Sequence, residues 1–292
     1  MSDIPAGAGA AHSMSPMRTA LLTTVAMLAF AGNSLLCRLA LKDTQIDPVS
    51  FTAVRLVSGA VVLALIVALR RPRALAAGSW SSALALFTYA AAFSFAYVGL
   101  SAATGALLLF GAVQATMIGY GLWRGERFGA WQIVGLAGAI GGLLALLLPG
   151  LSAPPPDRAA AMIAAGMAWG VYSLRARGTG DPTSVTAGNF LRASPLALVL
   201  CIAMLPWASI DIPGIGYALA SGALASGMGY AVWYTALHGL KATTAATVQL
   251  SVPAIATAGG VILLGEPVTL HLLFASAAVL GGIALVILAK AR

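Results

Sequence analysis

Arg55 and Arg192 each stand inside a long apolar run. A cation at such a depth in hydrocarbon costs at least about 2.5–3.5 kcal/mol, so it must face protein, water or an anion. Arg55 follows Asp47 by eight residues, about two helical turns. It can reach outward to the interface, pair with a loop carboxylate, or meet a carboxylate on a bound solute. Arg192 has the same options. Both read as gating or structural residues, with solute contact as the alternative.

Aromatic residues fall on helical faces. Tyr89, Phe93 and Tyr97 are spaced i, i+4, i+8; Tyr230, Trp233 and Tyr234 are spaced i, i+3, i+4; Trp169 and Tyr172 share a face. Such stripes serve as core or as interfacial belts, but Phe93 and Trp233 stand well inside their runs. Amides and hydroxyls accompany them: Asn33, Gln114, Gln249 and Ser251. Each needs a hydrogen-bond partner in a low-dielectric setting, and contacts between helices supply most of these. Aromatic faces with a few amides describe a pocket for a small amphipathic solute.

The carboxylates lie elsewhere. Glu126 and Glu266 precede apolar runs, where they can cap free N–H groups at a helix start; proton coupling is the alternative. The rest lie in the tail, in loops or at the ends of runs, and none is near the middle of a run. That weakens a carboxylate relay for proton-driven pumping and leaves His238 as the leading titratable candidate, against a structural role at the interface. Pro253 is expected to break its helix mid-run and free a carbonyl. Ser221-Gly222 and Ser226-Gly227 resemble a nucleophile setting, but no mid-run His or Asp accompanies them. The two cysteines have no metal-ligand spacing. No catalytic set, metal site or cofactor is expected.

The elements that must position these residues follow from composition. Of 292 residues, 60% are hydrophobic and 8% charged, against roughly 25% charged in soluble domains. The chain is read as an all-α integral membrane protein, with lipid as its surroundings. The net charge of +8 sits in short loops and gives no sign of nucleic-acid binding. Ten runs have about the 20 residues that a crossing needs, near 19–41, 49–69, 79–98, 103–123, 128–148, 158–177, 183–205, 213–237, 243–264 and 269–289. Residues 1–17 read as a disordered tail.

An internal repeat organises the runs. Residues 99–127 match residues 239–267 at a constant offset of 140: Gly99 with Gly239, Thr104 with Thr244, Gly125 with Gly265, Glu126 with Glu266. Asp47-Pro48-x-Ser50-x-Thr52-Ala53 likewise matches Asp181-Pro182-x-Ser184-x-Thr186-Ala187. The units are 18–150 and 151–292, with five runs each. An odd number forces the second unit to enter from the opposite side, so the ten helices form two inverted repeats with a site between them. Eleven basic residues fall in one set of loops and ends and three in the other, which puts both termini in the cytoplasm. The glycines of the fifth and tenth runs are expected to make a packing seam or a dimer contact, in a monomer or weak homodimer.

Two five-helix units, each with Gly-Glu between its last two helices, resemble the EamA family of the drug/metabolite transporter superfamily. Ala246-x6-Pro253 followed by Leu264-Gly265-Glu266 carries the resemblance, and Val113 departs from it where the second unit has Pro253. The chain as a whole is similar to the YddG-type amino acid exporters of that family. The resemblance implies a bacterial-type inner-membrane carrier exporting small metabolites, most readily neutral or aromatic amino acids, by alternating access. Other family substrates, such as drugs, cations or nucleosides, are the alternative, as is a channel or scaffold without alternating access. In the carrier reading the aromatic faces hold the side chain, and Asn33, Gln114, Gln249 and the broken ninth helix meet the zwitterion.

Overall fold

The computed structural model describes residues 14–70, 77–125, 127–148, 153–175, 181–240 and 242–290. Glu126, the tail to residue 13, and Arg71, Arg73, Arg177, Lys241 and Arg292 of the loop-charge pattern lie outside them. Among the described residues the chain is helical throughout, with no strand.

Short polar and proline signals set where helices begin. Helix α1 (Pro16–Asp43) starts on Ser15, whose hydroxyl accepts the Arg18 N–H, with proline in the first turn. Helix α2 (Pro48–Arg70) starts behind Asp47, α3 (Trp80–Tyr97) behind Ser79, and α4 (Ala102–Trp123) behind Ser101. Helix α5 (Ala130–Leu147) follows Gly129, α6 (Pro156–Arg175) opens on a proline, and α7 (Pro182–Ala203) on Asp181-Pro182. Ser and Asp side chains satisfy N–H groups that a helix start leaves open, and proline there loses nothing.

The eighth expected run is not one helix. It comprises α8 (Ile212–Leu219), a π-helical segment (Ala220–Met228) and α9 (Gly229–Leu237). The ninth comprises α10 (Ala242–Gln249) and α11 (Ser251–Leu264), and α12 (Leu270–Lys290) closes the chain. The break in the ninth falls at Leu250, not at Pro253, which sits in the first turn of α11, where its missing N–H costs little. Ser251 Oγ donates to the Val248 carbonyl at 2.6 Å, so that carbonyl of the broken turn is satisfied within the break. Among the described residues six helices are long and apolar enough to cross a membrane: α1, α2, α4, α5, α7 and α12.

Packing follows a swapped pattern. α3 lies on α6 and α1 on α9; α4 lies on α6 and α1 on α11; α3 lies on α7 and α2 on the π segment. α2 with α7 and α5 with α12 pair directly. Lipid gives apolar side chains no reason to associate, so small residues that let backbones meet decide contact. On α5 and α12 these are Gly135, Gly142 and Gly282: a Cβ on Gly282 would lie 2.4 Å from the Gly135 carbonyl oxygen. Gly141 and Gly281 have nothing within 4 Å of that position and are no part of this seam.

The loops are tied as well. The Asp47 N–H donates to the Ser209 carbonyl at 2.9 Å, and the Asp47 carboxylate accepts the N–H groups of Val49, Ser50 and Ser209 at 2.8–3.0 Å. Partial burial alone would raise the Asp47 pKa, but hydrogen bonds from Ser50, Ser209 and Val49 hold it below the ordinary carboxylate value. On the α3 side, Ser79 N–H donates to Asn189 Oδ1 at 2.9 Å.

Candidate functional site

An interior cavity lies where seven helical segments converge. α1 contributes Phe30, Asn33 and Ser34; α3 contributes Tyr89 and Phe93; α4 contributes Leu109 and Phe110. Trp169 comes from α6, Ala225 from the π segment, Tyr230 from α9 and Gln249 from α10. The walls are aromatic because each of these helices turns one face inward. Tyr89 and Tyr230 flank Trp169 with centroids 4.8 and 5.3 Å away. Phe30 meets Tyr230 edge-on at 5.7 Å. Such tilted and edge-to-face arrangements match negative ring faces to positive edges.

The space open to the centre of a water-sized sphere is ≈ 30 Å³, room for a water or two and not for an amino acid. The cavity is closed to a solute of that size. Larger apolar grooves exist, including one of ≈ 490 Å³ bordered by Pro253, Thr257, Val261 and Leu280. Val261 and Ile262 there are exposed, so that groove belongs to the outer face of the bundle.

One polar chain runs behind and into the cavity. Ser221 of the π segment donates to Asn33 Oδ1 at 2.6 Å, and Asn33 Nδ2 donates to the Tyr89 hydroxyl at 3.3 Å. Arg55 Nη2 donates to the same hydroxyl at 2.9 Å, and Arg55 Nε to Ser226 Oγ at 3.4 Å. The guanidinium carbon stands 5.1 and 5.0 Å from the ring centres of Tyr89 and Phe93, a cation–π geometry. The π segment makes this possible. Gly222 packs so closely on α2 that a Cβ would fall 2.2 Å from the Arg55 carbonyl oxygen, and the extra residue per turn presents Ser221 and Ser226 to different partners.

Several residues singled out in the sequence are placed elsewhere. Arg55 neither reaches the interface nor pairs with a carboxylate among the described residues: it is 1% exposed, and the described ion pairs are Arg38–Glu266 and Arg158–Asp157. Its helix face points at α3 and the π segment, which blocks any outward path. Tyr97 fills the slot that Gly105 leaves on α4. Tyr172 stacks on Trp169 from behind and bonds Thr186 and Asn189. Trp233 packs on Phe30, while Tyr234, Gln114 and Ser251 also lie off the cavity wall. Arg192 donates to the Ala77 and Gly188 carbonyls, holding the loop before α3. His238 sits at the end of α9 against the Tyr234 carbonyl. Phe30, Ser34, Leu109, Phe110 and Ala225 line the cavity without having stood out. Phe30 and Phe110 are isolated aromatics in their runs, so no spacing marked them.

Glu266 departs from its expected place too. It does not cap α12, which Thr269 caps through the Leu272 N–H. Its Oε2 accepts the Ala102 N–H at the start of α4 (2.7 Å), and its Oε1 lies 3.0 Å from Arg38 Nε. Arg38 Nη1 also donates to the Tyr97 and Val98 carbonyls, and Lys42 to the Leu264 carbonyl. One end of the bundle is thereby latched. Among the described residues no group of His, Cys, Asp and Glu could hold a metal ion.

The model of the EamA-like transporter family matches residues 17–148 and again residues 159–288. The chain belongs to the EamA-like transporter family. As a member it is a multi-pass membrane protein and a transporter of small molecules, which points away from an enzyme. A relative at 60% identity is the uncharacterised protein PA1977 of Pseudomonas aeruginosa, matched over 275 residues, 94% of this chain and 96% of that one. A solved structure described only as a crystal structure of protein aligns with a TM-score of 0.67 at 19% identity, covering 94% of this chain and 99% of the other. At that identity the likeness concerns the fold alone.

Proposed function

We propose that this EamA-like protein is an inner-membrane carrier that exports small metabolites, with neutral or aromatic amino acids as the class, by alternating access. The cavity carries the reading. Aromatic rings from α3, α6 and α9 supply an apolar side-chain site, and Asn33 and Gln249 supply polar contacts beside it. Gln114, Tyr97 and Trp233 have no part in the wall of this closed cavity. The swapped packing pairs and the second family match support ten spans arranged as two inverted five-helix units, 18–150 and 151–292, with both termini cytoplasmic. Such a plan lets the same site face either side in turn. No acidic side chain lines the cavity among the described residues, which disfavours a dedicated exporter of cationic drugs.

Counterflow in liposomes tests the reading. Liposomes holding the purified protein are loaded with unlabelled phenylalanine, labelled phenylalanine is added outside, and the assay is repeated with a pH gradient. Transient labelled uptake that Trp169→Ala impairs is the expected result. Absence of counterflow across a broad amino acid panel overturns the substrate class, and steady flux without counterflow overturns the carrier.

A further inference from the structure

Arg55 is buried with its Nη1 atom bonded to nothing among the described residues. Every other polar atom of this guanidinium has a partner: Tyr89 on Nη2 and Ser226 on Nε. A buried cation that lacks a carboxylate bears a desolvation cost of several kcal/mol, and neutral hydroxyls and ring faces offset only part of it. Native interiors rarely leave such a donor open. An orphaned charged donor one side chain behind a solute cavity is what an anion site looks like before its anion arrives.

The surroundings agree. The Tyr89 hydroxyl receives bonds from both Arg55 and Asn33, so it bridges the cation to the cavity wall. Tyr89 and Phe93 are at once the rings beneath the guanidinium and members of that wall. Tyr89 is thus the side chain that stands between the guanidinium and the cavity. We infer that Arg55 is the carboxylate-binding residue of the transport site, which therefore takes solutes carrying a carboxylate on an apolar or aromatic body. This rests on the carrier reading above and narrows it: the carboxylate docks on Arg55 Nη1 and the body lies against Trp169, Tyr230 and Phe110. The planar fork of arginine suits a carboxylate through paired N–H donors. Among the described residues the cavity offers no acid for an ammonium group, which faces the rings of Trp169 and Tyr230 instead.

The test compares carboxylates with their amides on the full-length protein. Thermal unfolding is followed with phenylacetate, phenylacetamide, phenylalanine and phenylalaninamide, and the same four compete in the counterflow assay. Each carboxylate is expected to bind roughly ten- to hundredfold more tightly than its amide, the worth of a charge-assisted bond. Arg55→Gln is expected to abolish that preference, and Arg55→Lys to weaken but keep it. The comparison within the unsubstituted protein stands even if Arg55→Gln does not fold. Equal binding of acid and amide, or a preference that survives in Arg55→Gln, overturns the assignment. Preference for phenylacetate as well as phenylalanine identifies the carboxylate as the group recognised; preference confined to phenylalanine, and unchanged in Arg55→Lys, counts against Arg55. Carboxylate binding that depends on Arg55 without counterflow refutes the carrier and leaves this site standing. Counterflow that ignores both the amide change and Arg55→Gln refutes the site and leaves the carrier.

Discussion

Arg38 Nε lies 3.0 Å from Glu266 Oε1, and the second oxygen of that carboxylate takes the first free N–H of α4 at 2.7 Å. One side chain thus joins α1, α4 and the link between α11 and α12. Both partners are largely buried, at 14% and 8% side-chain exposure. Removing one leaves a charge without its counterpart, which costs about 3–5 kcal/mol in buried pairs.

In the alternating-access reading proposed above, opening that end of the bundle parts this pair. Glu266→Gln is therefore expected to speed labelling of a cysteine at Ser34, which lines the cavity, in a background with Cys37 and Cys201 replaced by alanine. Glu266→Ala is expected to lower Tm as well. Labelling rates and Tm that match the parent show that the pair does not hold this end.

Gly222 predicts a steric result. A methyl group there meets Ser58 Oγ at 2.0 Å and the Arg55 carbonyl at 2.2 Å, so Gly222→Ala must push the π segment off α2. Overpacking of this kind costs about 1–3 kcal/mol, read as a fall in Tm in detergent. Gly216→Ala, with nothing within 4 Å, is the control. It should hold or raise Tm, since alanine is the better helix former by up to about 1 kcal/mol.

The seam between α5 and α12 gives a paired test. Gly282→Ile drives a branched side chain into the backbone of Gly135 and Ala139, whereas Gly281→Ile projects into open space. The first is expected to lower both expression and Tm, and the second to leave them near the parent. Equal behaviour would show that the helices do not meet there.

Asp47 supplies a pH dependence. Its folded pKa is depressed below the ordinary 3.8, so its contribution is present above about pH 4 and is lost as pH falls through the folded value. Asp47→Asn removes that dependence. Tm measured from pH 6 down to pH 3 should fall more steeply for the parent than for the variant; parallel curves would show that the tie to Ser209 carries no such linkage.

Much of this architecture is legible in the sequence because membrane helices advertise themselves. Ser15 and Asp181, each followed by a proline, and Ser79 and Ser101 mark the starts, and apolar runs mark the bodies. The i, i+4 spacing placed Tyr89 and Phe93 on one face, and both line the cavity. The same spacing also drew in Tyr97 and Trp233, since helical phase tells which way a residue points but not which neighbour covers it. Gly105 opens the slot for Tyr97, and that lies on another helix. The π segment was hidden because its small residues read as ordinary helix. Its geometry comes from the contact of Gly222 with α2. Glu266 was read as serving the helix it precedes, and only the fold brings Ala102 and Arg38 within its reach.

The Arg55 cation beside the cavity has an electrical meaning. With no described acid to cancel Arg55, the charge of the occupied centre is fixed by its cargo: a zwitterion leaves it at plus one, and a monocarboxylate brings it to zero. Voltage acts on moved charge at about 2.3 kcal/mol per elementary charge per 100 mV. For a zwitterion the loaded and empty centres carry the same charge, so voltage acts alike on both legs of the cycle. For a monocarboxylate the loaded leg is neutral and the field falls on the empty return alone. Exchange, which skips that return, would then ignore a potassium diffusion potential that net efflux obeys.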